Sequence, residues 1–371
     1  MDETQKNILS QMNKVSKAML KAKEELNKSV VYQRKGVLDQ AVITLEKNPN
    51  SNLTLFGIKN TGEIGIEMAM KLENEAGYFF HTIDKMSERG RAIDIDLINP
   101  LTGRVMTGSS SGGCVNILKG INDLAIGTDG GGSVLAPAIS TGLFSIMAKG
   151  MGLKGNSIKS STDNIKFTPG IGVISHNYNM CKIALNALVD KNHNTNSNKK
   201  IRVLVPKKNS ITLPNGNDMR DDLERVINLI KEYVEIVEKD FTSLEDRHSS
   251  ISFCNKMFDE EDIDIILSVE GPIDLYGLGD SVLGTWGEVG SEIQNDSGKY
   301  LLKIANMINA TAVSIPTSEL GMGVLIMAKE GLENGEIAIE LGDKIRELYD
   351  RPELYNRYFI EEHKSKSLDF I

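Results

Sequence analysis

The sequence has little of what marks several common classes of protein. It contains 3 cysteines among 371 residues, too few for a disulfide framework, and this scarcity favours a reducing compartment. No apolar run approaches the roughly 18 to 20 residues that cross a bilayer, so we expect no membrane span. The first residues also lack the apolar core of a signal peptide. Together these absences lead us to expect a cytoplasmic protein.

Positive charge is also scarce, because 42 Lys and Arg residues face 51 Asp and Glu residues. The resulting net charge of −9 argues against a nucleic-acid partner. The 5 histidines are scattered without metal-ligand spacing. No glycine run ends in the Gly-Lys-Ser/Thr of a phosphate-binding loop, and none has dinucleotide-binding spacing. We therefore expect no metal and no organic cofactor.

Glycine, in contrast, is concentrated in one place. Residues 108–133 read GSSSGGCVNILKGINDLAIGTDGGGS and hold eight of the 34 glycines. The apolar residues between the two Gly/Ser runs have the spacing of a short helix followed by a buried strand, unlike a flexible linker. Successive glycines before a serine can direct several backbone N–H groups to one point. A serine nucleophile needs such donors for its oxyanion, together with a base.

The two Gly/Ser runs resemble the amidase signature family. Its members have a Gly-Gly-Ser-Ser-Gly-Gly run followed by Gly-Thr-Asp-x-Gly-Gly-Ser. Residues 108–113 match the first run with serine in place of the second glycine, and residues 127–133 match the second run at every fixed position. The similarity is strong over residues 99–142 and extends weakly over about 29–350.

The resemblance implies an α/β fold, an α/β/α sandwich with a mixed β-sheet flanked by helices, in a single domain over residues 1–371. Periodicity predicts an N-terminal helix over 3–28 and a polar surface loop over 190–200. A core over 29–190 carries a helical insertion at 68–95, and a second half spans 201–350 with a mobile loop at 270–300. Within that half we predict strands and helices as follows: strands at 201–206, 264–268, 312–316 and 324–327, and helices at 218–235 and 336–349.

The resemblance also assigns roles to individual residues. Ser133 corresponds to the nucleophile and Ser110 to a bridging serine held in a cis peptide. The oxyanion hole corresponds to the N–H groups of Gly130, Gly131, Gly132 and Ser133. The hydroxyls of Ser109 and Ser111 are expected to take part in substrate binding beside it.

The chain differs from the family at the position of the catalytic base. Its lysine strand corresponds to about residues 10–18, where this chain has helical spacing instead. Lys59, which follows the neighbouring strand, is the replacement candidate, provided that burial lowers its pKa; an exposed lysine at a strand end is the commoner situation. Leu135 stands where the family has an arginine, so Asp129 is expected to cap a turn. Cys114 is expected to be a small buried residue.

Three functions agree with these patterns. The first is hydrolysis of a small or peptide-like amide through an acyl-enzyme at Ser133. The second is a non-catalytic binding or partner protein with the same fold, suggested by the missing lysine strand. The third is an A-type amidotransferase subunit that passes ammonia to another active site. The sequence leaves the substrate and the oligomeric state open, and a homodimer is among the assemblies it allows.

Overall fold

The computed structural model describes residues 2–189, 200–241, 244 and 246–361. The loop predicted at 190–200 therefore lies outside the described residues except for Lys200. The strands are β1 Val30–Gln33, β2 Leu55–Lys59, β3 Phe79–Asp84, β4 Ile93–Ile98, β5 Val105–Thr107, β6 Leu124–Asp129, β7 Phe144–Met147, β8 Lys159–Ser160, β9 Lys166–Phe167, β10 Gly170–Ser175, β11 Arg202–Pro206, β12 Glu235–Lys239, β13 Ile265–Glu270, β14 Thr311–Pro316 and β15 Gly323–Ala328.

The α-helices of the described residues are α1 Glu3–Glu24, α2 Val37–Lys47, α3 Ile66–Lys71, α4 Ser111–Leu118, α5 Leu135–Ser140, α6 Tyr178–Leu188, α7 Met219–Asp222, α8 Glu224–Ile230, α9 Arg247–Asp259, α10 Gly287–Asn295, α11 Leu332–Ile345 and α12 Glu353–Tyr355. None of these helices has both the length and the apolar character needed to cross a membrane.

The main sheet of the described chain has eleven strands in the order β1-β3-β2-β6-β10-β7-β14-β15-β13-β11-β12. Strand β2 runs parallel to β3 and β6, and β11 runs parallel to β12 and β13. The remaining neighbours pair antiparallel. The sheet is mixed, as the sequence predicted.

Helices cover both faces of the sheet because its central strands are apolar on both sides. In β13, Ile265 and Leu267 pack in one core cluster with residues of α6, α8 and α11. Ile266, between them, packs in a second cluster with residues of α5 and α9. Alternate side chains of a strand point to opposite faces, so a continuous apolar run requires a layer on each side. This arrangement confirms the predicted α/β sandwich.

Helix α1 confirms the predicted N-terminal helix, although it ends at Glu24 rather than at residue 28. Asp2 and Gln5 form a capping box at its start. Val15 and Ala18 are buried against α2 in a separate small cluster. The chain then turns and enters β1 at Val30, at the edge of the main sheet.

The helical insertion predicted at 68–95 is wrong for most of its length. Helix α3 continues as a π-helical segment only to Ala76, and Gly77 with φ +68° ends it. Phe79–Asp84 is β3, which lies in the main sheet between β1 and β2. Aromatic residues such as Phe79 and Phe80 favour strands, and here both are buried. The prediction rested on the length of this segment, which exceeds the usual spacing of the family that the chain resembles.

The predictions for the second half are confirmed for the strands, which are β11, β13, β14 and β15. The helix predicted at 218–235 is two shorter helices, α7 and α8, and it ends at Ile230. Edge strand β12, which follows it, was missed because it is polar and only partly buried. The helix predicted at 336–349 is α11, shifted towards the N-terminus.

Candidate active site

Two parallel strands bring the candidate base and the nucleophile turn to the same edge of the sheet. Strand β2 ends at Lys59 and its neighbour β6 ends at Asp129. Ile58 pairs in register with Ile126, so Lys59 lies beside the last residues of β6. The turn 130–133 follows β6 directly and leads into α5. Chemistry-bearing residues therefore converge where two parallel strands end.

Lys59 is buried, with 4% of its surface exposed. Its Nζ donates a hydrogen bond to Ser109 Oγ at 2.7 Å and another to the carbonyl oxygen of Thr128 at 3.0 Å. Burial lowers the pKa of Lys59 to about 7, against the attraction of Asp129, which raises it. At neutral pH a large fraction of this amine is uncharged, and an uncharged amine can accept a proton from Ser109.

The serine hydroxyl that contacts Lys59 is that of Ser109, whereas the resemblance assigned the bridging role to Ser110. Helix α4 begins at Ser111, and Ser110 is its N-cap residue. The Ser110 hydroxyl faces the sheet, where a Cβ on Gly127 would lie 2.5 Å from its Oγ. Among the described residues this hydroxyl has no hydrogen-bond partner. The sequence has three serines in a row and does not show which of them faces the base. In the structure α4 begins at Ser111, and Ser109, which precedes the N-cap residue, is the serine that contacts Lys59.

The peptide bonds of the serine run also differ from what the resemblance implied. Within the described residues, the cis peptide is that between Gly271 and Pro272, so the cis bond expected at Ser110 is not there. The serine run is held instead by its backbone, because the N–H of Ser110 donates to the carbonyl oxygen of Ser133 at 3.2 Å. This bond joins the loop that carries Ser109 to the nucleophile turn.

Ser111 faces away from the substrate side, contrary to the prediction. Its Oγ donates to Asp94 Oδ2 at 2.6 Å, and both residues are buried. Asp94 also accepts from Lys85 Nζ at 2.7 Å. The Ser111 hydroxyl therefore anchors the start of α4 to β4, and it is not available to a substrate.

Asp129 shapes the turn that carries Ser133. Its Oδ1 accepts from the N–H of Gly132 at 2.7 Å and its Oδ2 from the N–H of Val134 at 2.6 Å. Gly132 has φ +94°, a conformation that favours glycine. This is the turn-capping role expected of Asp129 in the absence of an arginine partner. The Ser133 residue lies between the two anchored N–H groups.

The hydrogen bonds that anchor the turn also leave fewer free N–H groups for the predicted oxyanion hole. The N–H of Gly132 is already bonded to Asp129, so it is not a free donor. In the described part of the chain, no hydrogen bond engages the N–H groups of Gly130, Gly131 or Ser133. The assignment of these groups to an oxyanion hole stays a prediction, and the bond to Asp129 argues against the Gly132 N–H as one of the donors.

Ser133 opens onto a cleft of about 1230 Å³. Gly131 and Gly132 line the cleft beside it, and Gly108 lines it from the serine run. Part of the segment 270–300 also lines the cleft, including residues of α10. Trp286 is 69% exposed and is not among the lining residues. The mobility predicted for this segment stays a prediction.

Arg247 and Lys303, which the sequence did not single out, also line the cleft near the nucleophile turn. A Cβ on Gly131 would lie 3.2 Å from Arg247 Nη2 and 3.5 Å from the carbonyl oxygen of Lys303. Arg247 Nη1 donates to Asp163 Oδ1 at 2.9 Å. Both cations lie more than 100 residues after Ser133 in the sequence, in regions of weak family resemblance, so no local pattern could indicate them.

Other candidate groups are placed away from this chemistry. Cys114 is fully buried, as predicted, and burial raises the pKa of its thiol to about 12. In the described ranges no three His, Cys, Asp or Glu side chains are grouped so that they could hold a metal ion.

Comparisons with known proteins identify the fold. No protein-family model matches the chain, and no curated protein sequence matches it. Among solved structures, a peptide amidase from Stenotrophomonas maltophilia is 12% identical, with a TM-score of 0.61 over 92% of this chain and 95% of that one. An amidase family protein from Bacillus anthracis is 11% identical, with a TM-score of 0.56 over 87% and 84%.

A third similar structure is a 6-aminohexanoate cyclic dimer hydrolase in complex with its substrate. It is 13% identical, with a TM-score of 0.57 over 93% of this chain and 95% of that one. Identities this low establish a common fold and leave the activity to be argued from the site itself. The chain has the fold of these enzymes over almost its whole described length.

Proposed function

We propose that this protein hydrolyses a carboxylic amide, with Ser133 as the nucleophile, Ser109 as the proton relay and Lys59 as the base. The observation that carries the proposal is the buried contact between Lys59 and Ser109. A lysine without a carboxylate in contact is costly to bury, and this one bonds the hydroxyl of the serine that follows Gly108 of the cleft lining. The amidases that have the same fold support this choice of reaction.

In the proposed reaction, Ser133 Oγ attacks the carbonyl carbon of the amide. Its proton passes to Ser109 Oγ, and the proton of Ser109 passes to the neutral amine of Lys59. Free N–H groups of the turn, those of Gly131 and Ser133, donate to the oxyanion. The C–N bond then breaks, and the leaving amine takes a proton back from Lys59 through Ser109.

The acyl group is now an ester of Ser133, and water releases it by the same path in reverse. Lys59 and Ser109 remove a proton from the attacking water, and the carboxylic acid leaves as Ser133 regains its proton. The relay therefore carries out both half-reactions with the same groups, and it needs no metal or organic cofactor.

A fluorophosphonate probe tests the nucleophile and the relay together. We expect one adduct per chain, which peptide mapping places on Ser133 and which Ser133→Ala abolishes. Ser109→Ala should lower the labelling rate and amide turnover by ~10²- to 10⁴-fold. Ser110→Ala is the matched control, because it removes a hydroxyl one residue away that does not contact Lys59, and we expect a far smaller effect. Equal losses in the two variants would refute the assignment of Ser109.

Probe labelling, an amide screen and co-purification together separate this proposal from its alternatives. A protein that leaves Ser133 unlabelled and hydrolyses no amide in a broad screen would be a binding protein with the amidase fold. Co-purification with partner subunits and release of ammonia only in their presence would indicate an A-type amidotransferase subunit. We place the reaction in the cytoplasm, because cysteines are few and those in the chain are buried thiols.

A further inference from the structure

We propose that the substrate of this site carries a carboxylate close to the scissile amide and that Arg247 binds that carboxylate. The inference rests on the proposed function, since it names the class of amide that Ser133 attacks. It predicts that monoamides of short dicarboxylic acids are better substrates than neutral amides of the same size.

The first argument is the hydrogen bonding of the Arg247 guanidinium. Nη1 donates to Asp163. Nε is buried and out of reach of a ligand in the cleft. Nη2 lies beside Gly131, and both residues line the cleft, so Nη2 is the nitrogen that a substrate can reach. A guanidinium N–H forms a strong, charge-assisted hydrogen bond with a carboxylate.

The second argument is the position of Nη2 relative to the nucleophile. Nη2 lies 3.2 Å from the point where a Cβ on Gly131 would stand. Gly131 precedes Ser133 by two residues, so their Cα atoms are at most about 7 Å apart. Arg247, Gly131 and Ser133 line the same cleft. A carboxylate on Arg247 and a carbonyl at Ser133 can therefore belong to one substrate bound in this cleft.

The third argument is the charge around this position. Lys303 lines the cleft with Arg247. Burial lowers the pKa of its ammonium and the nearby guanidinium lowers it further, whereas the negative charges of Glu270, Asp246 and Asp163 raise it. A substrate carboxylate adds a negative charge where two cations are close together and relieves their repulsion. A neutral amide has no such effect.

The test compares matched substrates. The monoamides of malonic, succinic and glutaric acid are each compared with the neutral amide in which a methyl group replaces the carboxylate. We expect kcat/KM for the best monoamide to exceed that of its neutral partner by ~10- to 100-fold. Arg247→Met should reduce this preference at least tenfold, and Arg247→Lys should restore only part of it because an ammonium keeps the charge but does not reproduce the planar guanidinium.

A matched control is Arg225→Met. Arg225 lies on α8, which packs on the other face of the sheet from α9, and its guanidinium donates to the carbonyl oxygen of Leu348. We expect this variant to keep both the activity and the substrate preference. Thermal unfolding of each variant shows whether it is folded before its kinetics are compared.

A binding measurement separates this inference from the proposed function. Calorimetry with succinate and the Ser133→Ala protein should detect binding that the double variant Ser133→Ala/Arg247→Met loses. If no amide is hydrolysed but succinate binds through Arg247, the proposed function fails and the carboxylate site stands. Hydrolysis of neutral amides as fast as of anionic ones, or an equal loss for both in Arg247→Met, overturns the inference and assigns Arg247 to the oxyanion instead.

Discussion

Replacing Lys59 by methionine should make the protein more stable at pH 7 while it removes the activity. A pKa lowered from 10.5 to about 7 means that the folded state holds the proton of this lysine poorly. At pH 7 this corresponds to about 4 kcal/mol of lost folding free energy. Methionine has a similar length and no charge to desolvate. It gives up two hydrogen bonds, which contribute about 1 kcal/mol each.

The net effect of Lys59→Met at pH 7 is therefore a gain of about 2 kcal/mol in the free energy of unfolding. The sign depends on pH. Between pH 7 and 10.5 the unfolded chain binds more protons at this site than the folded one, so the stability of the wild type rises with pH. At pH 10 the cost of Lys59 falls below about 1 kcal/mol, and the variant becomes the less stable protein.

Urea unfolding followed by circular dichroism at pH 7 and pH 10 measures this crossover. Lys182→Met, which removes a partly exposed lysine of α6 that pairs with Asp343, is the control and should show no crossover. If Lys59→Met is destabilised by the same amount at both pH values, Lys59 is charged in the folded protein. It could not then act as the base, and the reasoning from its burial would be wrong.

Three further outcomes follow from the contacts of the site. Lys159→Gln removes a positive charge that lowers the pKa of Lys59, so the acid limb of kcat/KM should move to higher pH in a pH–rate profile. Gly112→Ala should destabilise the protein by several kcal/mol in thermal unfolding, because its Cβ would lie 2.6 Å from the carbonyl oxygen of Lys85. Asp94→Ala should cost about 2 to 4 kcal/mol in urea unfolding, because Ser111 and Lys85 both lose a buried acceptor, and an unchanged midpoint would contradict this anchor.

The nucleophile turn could be predicted from the sequence because its geometry is local. Asp129, Gly132 and Ser133 lie within five residues, and the hydrogen bonds that shape the turn join residues three and five apart. The capping role of Asp129 follows from the same short range. Local backbone chemistry of this kind is carried by the residues themselves, so a motif is enough to indicate it.

The contact between the proposed base and the proposed relay serine could not be predicted without the fold. Lys59 and Ser109 are fifty residues apart. The parallel pairing of β2 with β6 brings Lys59 to the turn that carries Ser133, and the bond from the Ser110 N–H to the Ser133 carbonyl oxygen holds the serines beside that turn. The resemblance offered Lys59 as a candidate because it follows the strand that neighbours the lysine strand of the family, yet its burial is a property of the folded chain. The choice between Ser109 and Ser110 depends on where α4 begins, and helix boundaries are the least certain feature of a sequence pattern.

The error over residues 68–95 has a similar cause. The prediction of a helical insertion rested on the length of this segment, which exceeds the usual spacing of the family that the chain resembles. The switch to β3 takes place at Gly77, whose positive φ ends the helix. What makes Phe79–Asp84 a strand is its place between β1 and β2, a tertiary contact that outweighs local preference.

The most direct test of the relay is the pH dependence of the rate at which a fluorophosphonate labels Ser133. The neutral form of Lys59 is the active one, so the rate in the wild type should rise through about pH 7 and level off above it. In Lys59→Met the rate should be at least ~10²-fold lower and should lose that limb. A wild-type limb near pH 7 that persists unchanged in Lys59→Met would show that another group removes the proton of Ser133.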